Sequence, residues 1–200
     1  MKIIRLTIVL SLLTCSHLTF SQDYLSSSAM EVEGLFSVGV KASSLRGDLV
    51  PVANMRAGWM FNNKINAGLD LNFVPPTQRV TGIYDDIDVF PVGVYAGIFV
   101  EPIFWGNNLI HLTVPLSFGW GGVFYLKDWE QDKSGTDDLK DGDYFSYIEP
   151  GLIGELNLME NIRLNLGLTG RLTSKLDLVS TDADTFRGLN VFMGVKIGAY

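Results

Sequence analysis

Residues 162–173 alternate. Ile162, Leu164, Leu166, Leu168 and Leu172 fall on one face, with Gly170 among them. Arg163, Asn165, Gly167, Thr169, Arg171 and Thr173 fall on the other. Side chains of an extended strand point alternately to opposite faces, so the pattern predicts a β-strand with an aliphatic face and a polar one.

The same period recurs along the chain. In residues 33–42, Phe36, Val38, Val40 and Ala42 oppose Leu35, Ser37, Gly39 and Lys41. In 52–61, Ala53, Met55, Ala57, Trp59 and Phe61 oppose Asn54, Arg56 and Gly58, and in 65–73 the leucines oppose Asn66, Asp70 and Asn72. Further strands are predicted over 90–100, 109–120, 144–158 and 187–200, making eight. Tight turns at 62–64, 105–108 and 159–161 alternate with longer connections at 43–50, 75–89, 125–143 and 174–186.

That asymmetry, with strands of about ten residues, predicts an eight-stranded antiparallel up-and-down transmembrane β-barrel with a filled polar lumen. A soluble eight-stranded barrel is the rival, with apolar residues inside and polar ones outside. Two features favour the membrane. The polar faces are rich in glycine and paired charges, and Trp59, Phe61, Phe73, Phe104, Trp105, Phe118 and Trp120 cluster near strand ends, as interfacial girdles do. An arginine facing lipid at mid-bilayer would cost about 2–4 kcal/mol, so the arginines must face inward. Turn counting places Phe61 opposite Ile65 and Arg56 opposite Asp70; likewise Leu158 opposite Ile162 and Glu149 opposite Arg171. Pro91, Pro102, Pro115 and Pro150 cannot donate to a ladder, so bulges or strand ends are expected there.

The first residues read differently. Lys2 and Arg5 precede the apolar run Ile8–Leu13, and Thr19 and Ser21 precede Gln22, the layout of a secretory signal peptide over 1–21. The barrel domain is then 22–200. Lipidation at Cys15 is the minor alternative. Cleavage removes Cys15, the only cysteine, and His17, leaving no disulfide and no Cys/His metal cluster. It also takes two positive charges from a chain of net −7, leaving −9, which argues against nucleic acid as a partner.

Candidate chemistry is sparse. The inward face carries Glu33, Lys41, Arg56, Asp70, Glu101, Glu149, Glu155, Arg163, Arg171 and Lys196. With His111, most of these form the expected lumen ion-pair network: Arg56, Asp70, Glu101, His111, Glu149, Glu155, Arg163, Arg171 and Lys196. An eight-stranded barrel is just wide enough for side chains to fill it, so a plugged interior is favoured over a pore. His111 is the one candidate base, expected near Glu101 across the 105–108 turn, and no serine motif accompanies it. The acidic connection with Asp128, Glu130 and Asp132 fails as an EF-hand loop, since its sixth position lacks glycine and its twelfth is Leu139. Arg46-Gly47-Asp48 spells an adhesion tripeptide that chance supplies often.

From Ile110 onward, His111-Leu112-Thr113-Val114-Pro115, Gly119-Trp120-Gly121-Gly122-Val123, Ile148-Glu149-Pro150-Gly151 and Glu155-Leu156-Asn157 precede Arg163-Leu164, Gly167-Leu168 and Arg171. This second half resembles small outer-membrane β-barrel proteins of bacteria, and more loosely the eight-stranded OmpA/OmpX-like class. The resemblance implies a bacterial outer-membrane location, contact with outer-membrane lipid and the barrel-assembly machinery, and no established activity. Tyr200 departs from it, falling in the inward register where such proteins end on a lipid-facing aromatic. The hydrolases among such small barrels need an activated nucleophile or water with a base, usually histidine; the deacylase His–x–Ser pattern is absent, and His111-Leu112-Thr113 stands there instead. The function expected is structural or surface interaction through the external loops, with a ligand or protein held there, no catalysis and no cofactor. The alternatives are a narrow transport channel and a lipid-modifying enzyme using His111.

Overall fold

Alternation becomes ten antiparallel strands in the computed structural model, which describes residues 30–45, 48–84, 87–127, 139–176 and 186–198. They are β1 (Val32–Leu45), β2 (Asp48–Phe61), β3 (Ile65–Val74), β4 (Val80–Tyr84), β5 (Ile87–Phe104), β6 (Ile110–Thr113), β7 (Leu116–Lys127), β8 (Leu139–Met159), β9 (Ile162–Thr173) and β10 (Gly188–Gly198). The proposed leader with Cys15 and His17, the 22–29 lead-in, Arg46-Gly47, Asp85-Asp86, 128–138, 177–185, Ala199 and Tyr200 lie outside the described residues.

The sheet closes. β1 pairs with β2, β2 with β3, β3 with β5, β5 with β7, β7 with β8, β8 with β9, β9 with β10, and β10 with β1. β6 and β7 are one ring strand interrupted at Val114-Pro115, since both pair with β5 and β8. The ring therefore has eight strands, and β4 hangs outside it on β5.

Its stagger follows from the pairings. From Trp120 the partners run Ala96, Leu71, Met55, Val38, Val195, Leu164 and Leu156, and return on Ile110, ten residues from the start of the circuit. An even stagger brings an outward residue back onto an outward residue, which closure requires. With ordinary strand rise and spacing it tilts the strands by about 40°.

Orientation decides between the two barrels. Leu166 is 62% exposed and Leu168 55%, while Arg163 is 2% and Arg171 1%. Val38, Val40, Met55, Leu69, Ile98, Phe118 and Leu152 are exposed outside; Lys41, Asp70, Glu101, Glu149 and Lys196 are buried inside. Water rewards the reverse arrangement, and lipid rewards this one. Among the described residues no helix is long and apolar enough to cross a membrane; the strands supply the crossing surface.

Inward glycines let strands approach closely. A Cβ at Gly97 would lie 2.1 Å from the Phe118 carbonyl oxygen, and one at Gly58 2.2 Å from that of Ala67. The Phe192 ring lies against Gly39 and Gly194, filling space those residues leave.

Four expectations need correction. Pro91, Pro102 and Pro150 continue inside strands without a change of register; only Pro115 marks an end. Their carbonyls still accept: Val114 N–H donates to Pro102 and Gly151 N–H to Pro115. The β8–β9 turn is Glu160-Asn161, and an irregularity pairs Met159, not Leu158, with Ile162. Parts of the expected 75–89 and 125–143 loops are strand, in β4, β5, β7 and β8.

Those extra residues make the ring lopsided. β3 leaves β5 at Val74–Gly93, and β9 leaves β8 at Thr173–Tyr147. β5, β7 and β8 run on together past this rim, through Val89–Lys127 and Phe124–Gly142. Residues 139–145 of β8 pair with β7. The lumen side of this extension packs Val89, Val123, Tyr125 and Phe145 against Val52 and Phe186.

Candidate functional site

Alternation delivers the inward charges at set heights, and the stagger interleaves them. Nearest the short turns, Glu101 on β5 and Glu155 on β8 share Lys196 of β10, whose Nζ lies 2.5 Å from Glu101 Oε1 and also donates to Glu155 Oε1. Asn66 Nδ2 donates to Glu101 at 2.6 Å. His111 Nε2 lies 2.9 Å from Glu155 Oε2, and Arg163 Nη1 3.7 Å from the same oxygen.

Arg56 joins this cluster to the next. Its Nε donates to Asp70 and its Nη1 to Glu101, both at 3.3 Å. Its guanidinium sits 5.2 Å from the Phe99 ring centre and 5.8 Å from that of Phe192, between two aromatic faces. Asn54 Nδ2 donates to Asp70 at 2.6 Å. Toward the long connections, Lys41 Nζ donates to Glu149 at 2.7 Å, and Thr169 Oγ1 donates to the same carboxylate at 2.6 Å.

Arg171 stands apart. Its Nε, Nη1 and Nη2 donate to the Phe186 carbonyl, the Tyr95 hydroxyl and the Ser43 hydroxyl at 2.7, 2.8 and 2.8 Å. The Tyr95 and Phe186 ring centres lie 5.2 and 5.1 Å away.

The nine residues named from the sequence thus all point into the lumen, but not as one network. Arg56, Asp70, Glu101, His111, Glu155, Arg163 and Lys196 are contiguous. Glu149 is level with Arg171, between the pairs Ile148–Leu172 and Gly151–Thr169. Its ion pair is nevertheless with Lys41, while Arg171 is held by neutral acceptors among the described residues. His111 faces Glu155 rather than Glu101, because β6 places it beside β8 while Glu101 lies further along β5. No described serine hydroxyl bonds to it. Glu33 is half-buried at the turn end. Lys41 belonged to the inward set but not to the expected network. Tyr95 shares the inward register of Glu101, as alternation predicts, but carries no charge that would mark it as a partner; Phe186 falls in a stretch that reads as polar loop.

A cavity of about 440 Å³ opens at the turn end, lined by Asn63, Asn107, Asn157, Met159, Glu160 and Arg163 among others.

A closed eight-stranded ring with aliphatic exterior and charged interior defines the class: the small barrels of outer-membrane type, the OmpA/OmpX-like fold. Solved structures of this kind resemble the chain. Neisserial surface protein A shares 12% identity over 86% of this chain and 100% of its own, with a TM-score of 0.55. The attachment invasion locus protein Ail of Yersinia pestis, in complex with the heparin analogue sucrose octasulfate, shares 15% over 84% and 99%, with 0.50. The N-terminal β-barrel domain of Pseudomonas aeruginosa OprF shares 10% over 85% and 99%, with 0.50. At such identities the likeness shows the fold. No protein-family model matches the chain, and no curated protein does.

Proposed function

We propose that the chain is exported by residues 1–21, inserted by the barrel-assembly machinery and held in a bacterial outer membrane, where it works as a surface-interaction barrel without catalysis. The lopsided extension of β5, β7 and β8 carries this reading. A barrel that only spanned a bilayer would have no use for strands continuing past its rim. This extension places β7 and β8, the strands that flank the acidic connection, past the rim of the ring, and sheet surfaces of this kind serve as partner sites.

Charge narrows the partner. The connection it carries holds Asp128, Glu130, Asp132, Asp137 and Asp138 against Lys127 and Lys133. A basic surface suits it, in contrast to the sulfated ligand in the Ail complex. The interior argues against transport: Arg56 bridges Asp70 and Glu101 across the lumen, so a solute would have to break buried ion pairs.

Whole-cell labelling tests the reading. A membrane-impermeant amine cross-linker should reach Lys133 on intact cells and trap a protein there, and the trapped product should vanish when 128–138 is replaced by a short Gly-Ser link. The shortened protein should still show the heat-dependent gel migration of a folded barrel. Labelling only after cell disruption would overturn the orientation; unchanged cross-linking after deletion would overturn the role of the connection.

A further inference from the structure

Three features meet at the turn end of the lumen. His111 is buried, with Nε2 2.9 Å from Glu155 Oε2 and 3.5 Å from Arg163 Nη1. A carboxylate oxygen only accepts, so Nε2 carries the proton and donates. The bare nitrogen is then Nδ1, buried and without a protein hydrogen-bond partner. Arg163 Nη1 lies 3.7 Å from the same Glu155 oxygen, so imidazole and guanidinium compete for one acceptor. Arg163 also borders the 440 Å³ cavity, where its Nη2 donates to Asn63 Oδ1 at 3.4 Å and Glu160 forms part of the wall.

The charges bound in the cluster beside His111 balance while it is neutral, and Glu33 and Glu160 leave this end net negative. Against it stand Glu155 on β8 and Arg163 on β9, with Lys196 on β10 bound to Glu155 and in turn to Glu101 on β5; Arg56 of β2 answers Asp70 of β3. Glu33 of β1 and Glu160 lie at the same end. A proton on His111 adds positive charge beside a guanidinium and strengthens the imidazole's hold on the shared oxygen.

We propose that His111 is a proton-operated latch on the turn end of the lumen. Taking up a proton from solvent at Nδ1, it claims Glu155 Oε2 and sends Arg163, which borders the cavity, toward Glu160. Losing the proton restores Arg163 to its place. Histidine changes charge under mild acidity, so the latch responds to acidification of the compartment that the turns face.

Side-chain NMR of the protein in lipid nanodiscs tests this. In the chain without residues 1–21, His111 is the one histidine, and its signals are assigned by their loss in His111→Asn. Between pH 7.5 and pH 5 the His111 ring signals should shift, and over the same range the Arg163 Nε–H should exchange with water at least tenfold faster than its base-catalysed trend allows. His111→Asn should abolish that rise while the gel migration of the folded barrel persists. If His111→Asn does not assemble, the wild-type titration decides, because the two midpoints must coincide. A His111 that does not titrate in this range, Arg163 exchange that ignores its titration, or the same rise in His111→Asn would each overturn the latch.

Discussion

Arg56 and Asp70 face each other across β2 and β3, Nε to Oδ1 at 3.3 Å, and both are almost wholly buried. Removing one partner leaves a charge stranded in a low-dielectric lumen. Arg56→Ala should therefore lower unfolding stability by about 3–5 kcal/mol, read by urea denaturation in lipid vesicles. Arg56→Ala with Asp70→Ala should cost less than the two single changes summed, since the stranded charge goes too.

Depth on the outer face sets a second expectation. Leu166 lies near the middle of the aliphatic band and Leu49 at its rim, on the side of the long connections. Leu166→Arg should cost about 2–4 kcal/mol, and Leu49→Arg about 0–1, in the same vesicle assay. Equal costs at both positions would contradict a lipid-facing band.

Glycine supplies a third. A Cβ at Gly97 meets backbone at 2.1 Å, while one at Gly34 meets nothing within 4 Å. Gly97→Ala should slow assembly and reduce the folded fraction on a gel; Gly34→Ala should leave both unchanged.

Arg171 supplies a fourth. Arg171→Ala removes three hydrogen bonds that tie Phe186, Tyr95 and Ser43 together. Amide exchange around Phe186 should quicken. Conductance in planar bilayers should stay absent, because Arg56, Glu101 and Lys196 still block the lumen below.

Much of this was legible in alternation. The period of two assigns each side chain a face whatever the register, so the inward set from Lys41 to Lys196 follows from the strands alone. Turn length then fixes pairing, which is why Arg56 opposite Asp70 can be counted from Asn62-Asn63-Lys64. Counting fails where backbone geometry intervenes: both asparagines take positive φ in that turn, but the Glu160-Asn161 turn absorbs a residue as an irregularity and shifts Ile162 onto Met159. Contacts across the lumen are not readable at all. Lys41 reaches Glu149 from the far side of the ring, and His111 takes Glu155, because the stagger of the closed sheet decides which heights coincide. Phe186 is invisible for another reason: it lies outside every alternating stretch, and its burial comes from packing with Phe145 and Tyr95, which no periodicity records.

The account rests on which way the leucines point, and lipid contacts read that directly. In nanodiscs, the methyl groups of Leu164, Leu166 and Leu168 should show nuclear Overhauser contacts to lipid acyl chains, with the Asn165 side-chain amide showing none. Leucine methyls that contact one another across the barrel, with the Arg163 and Arg171 guanidinium groups exchanging freely with bulk water, would contradict it.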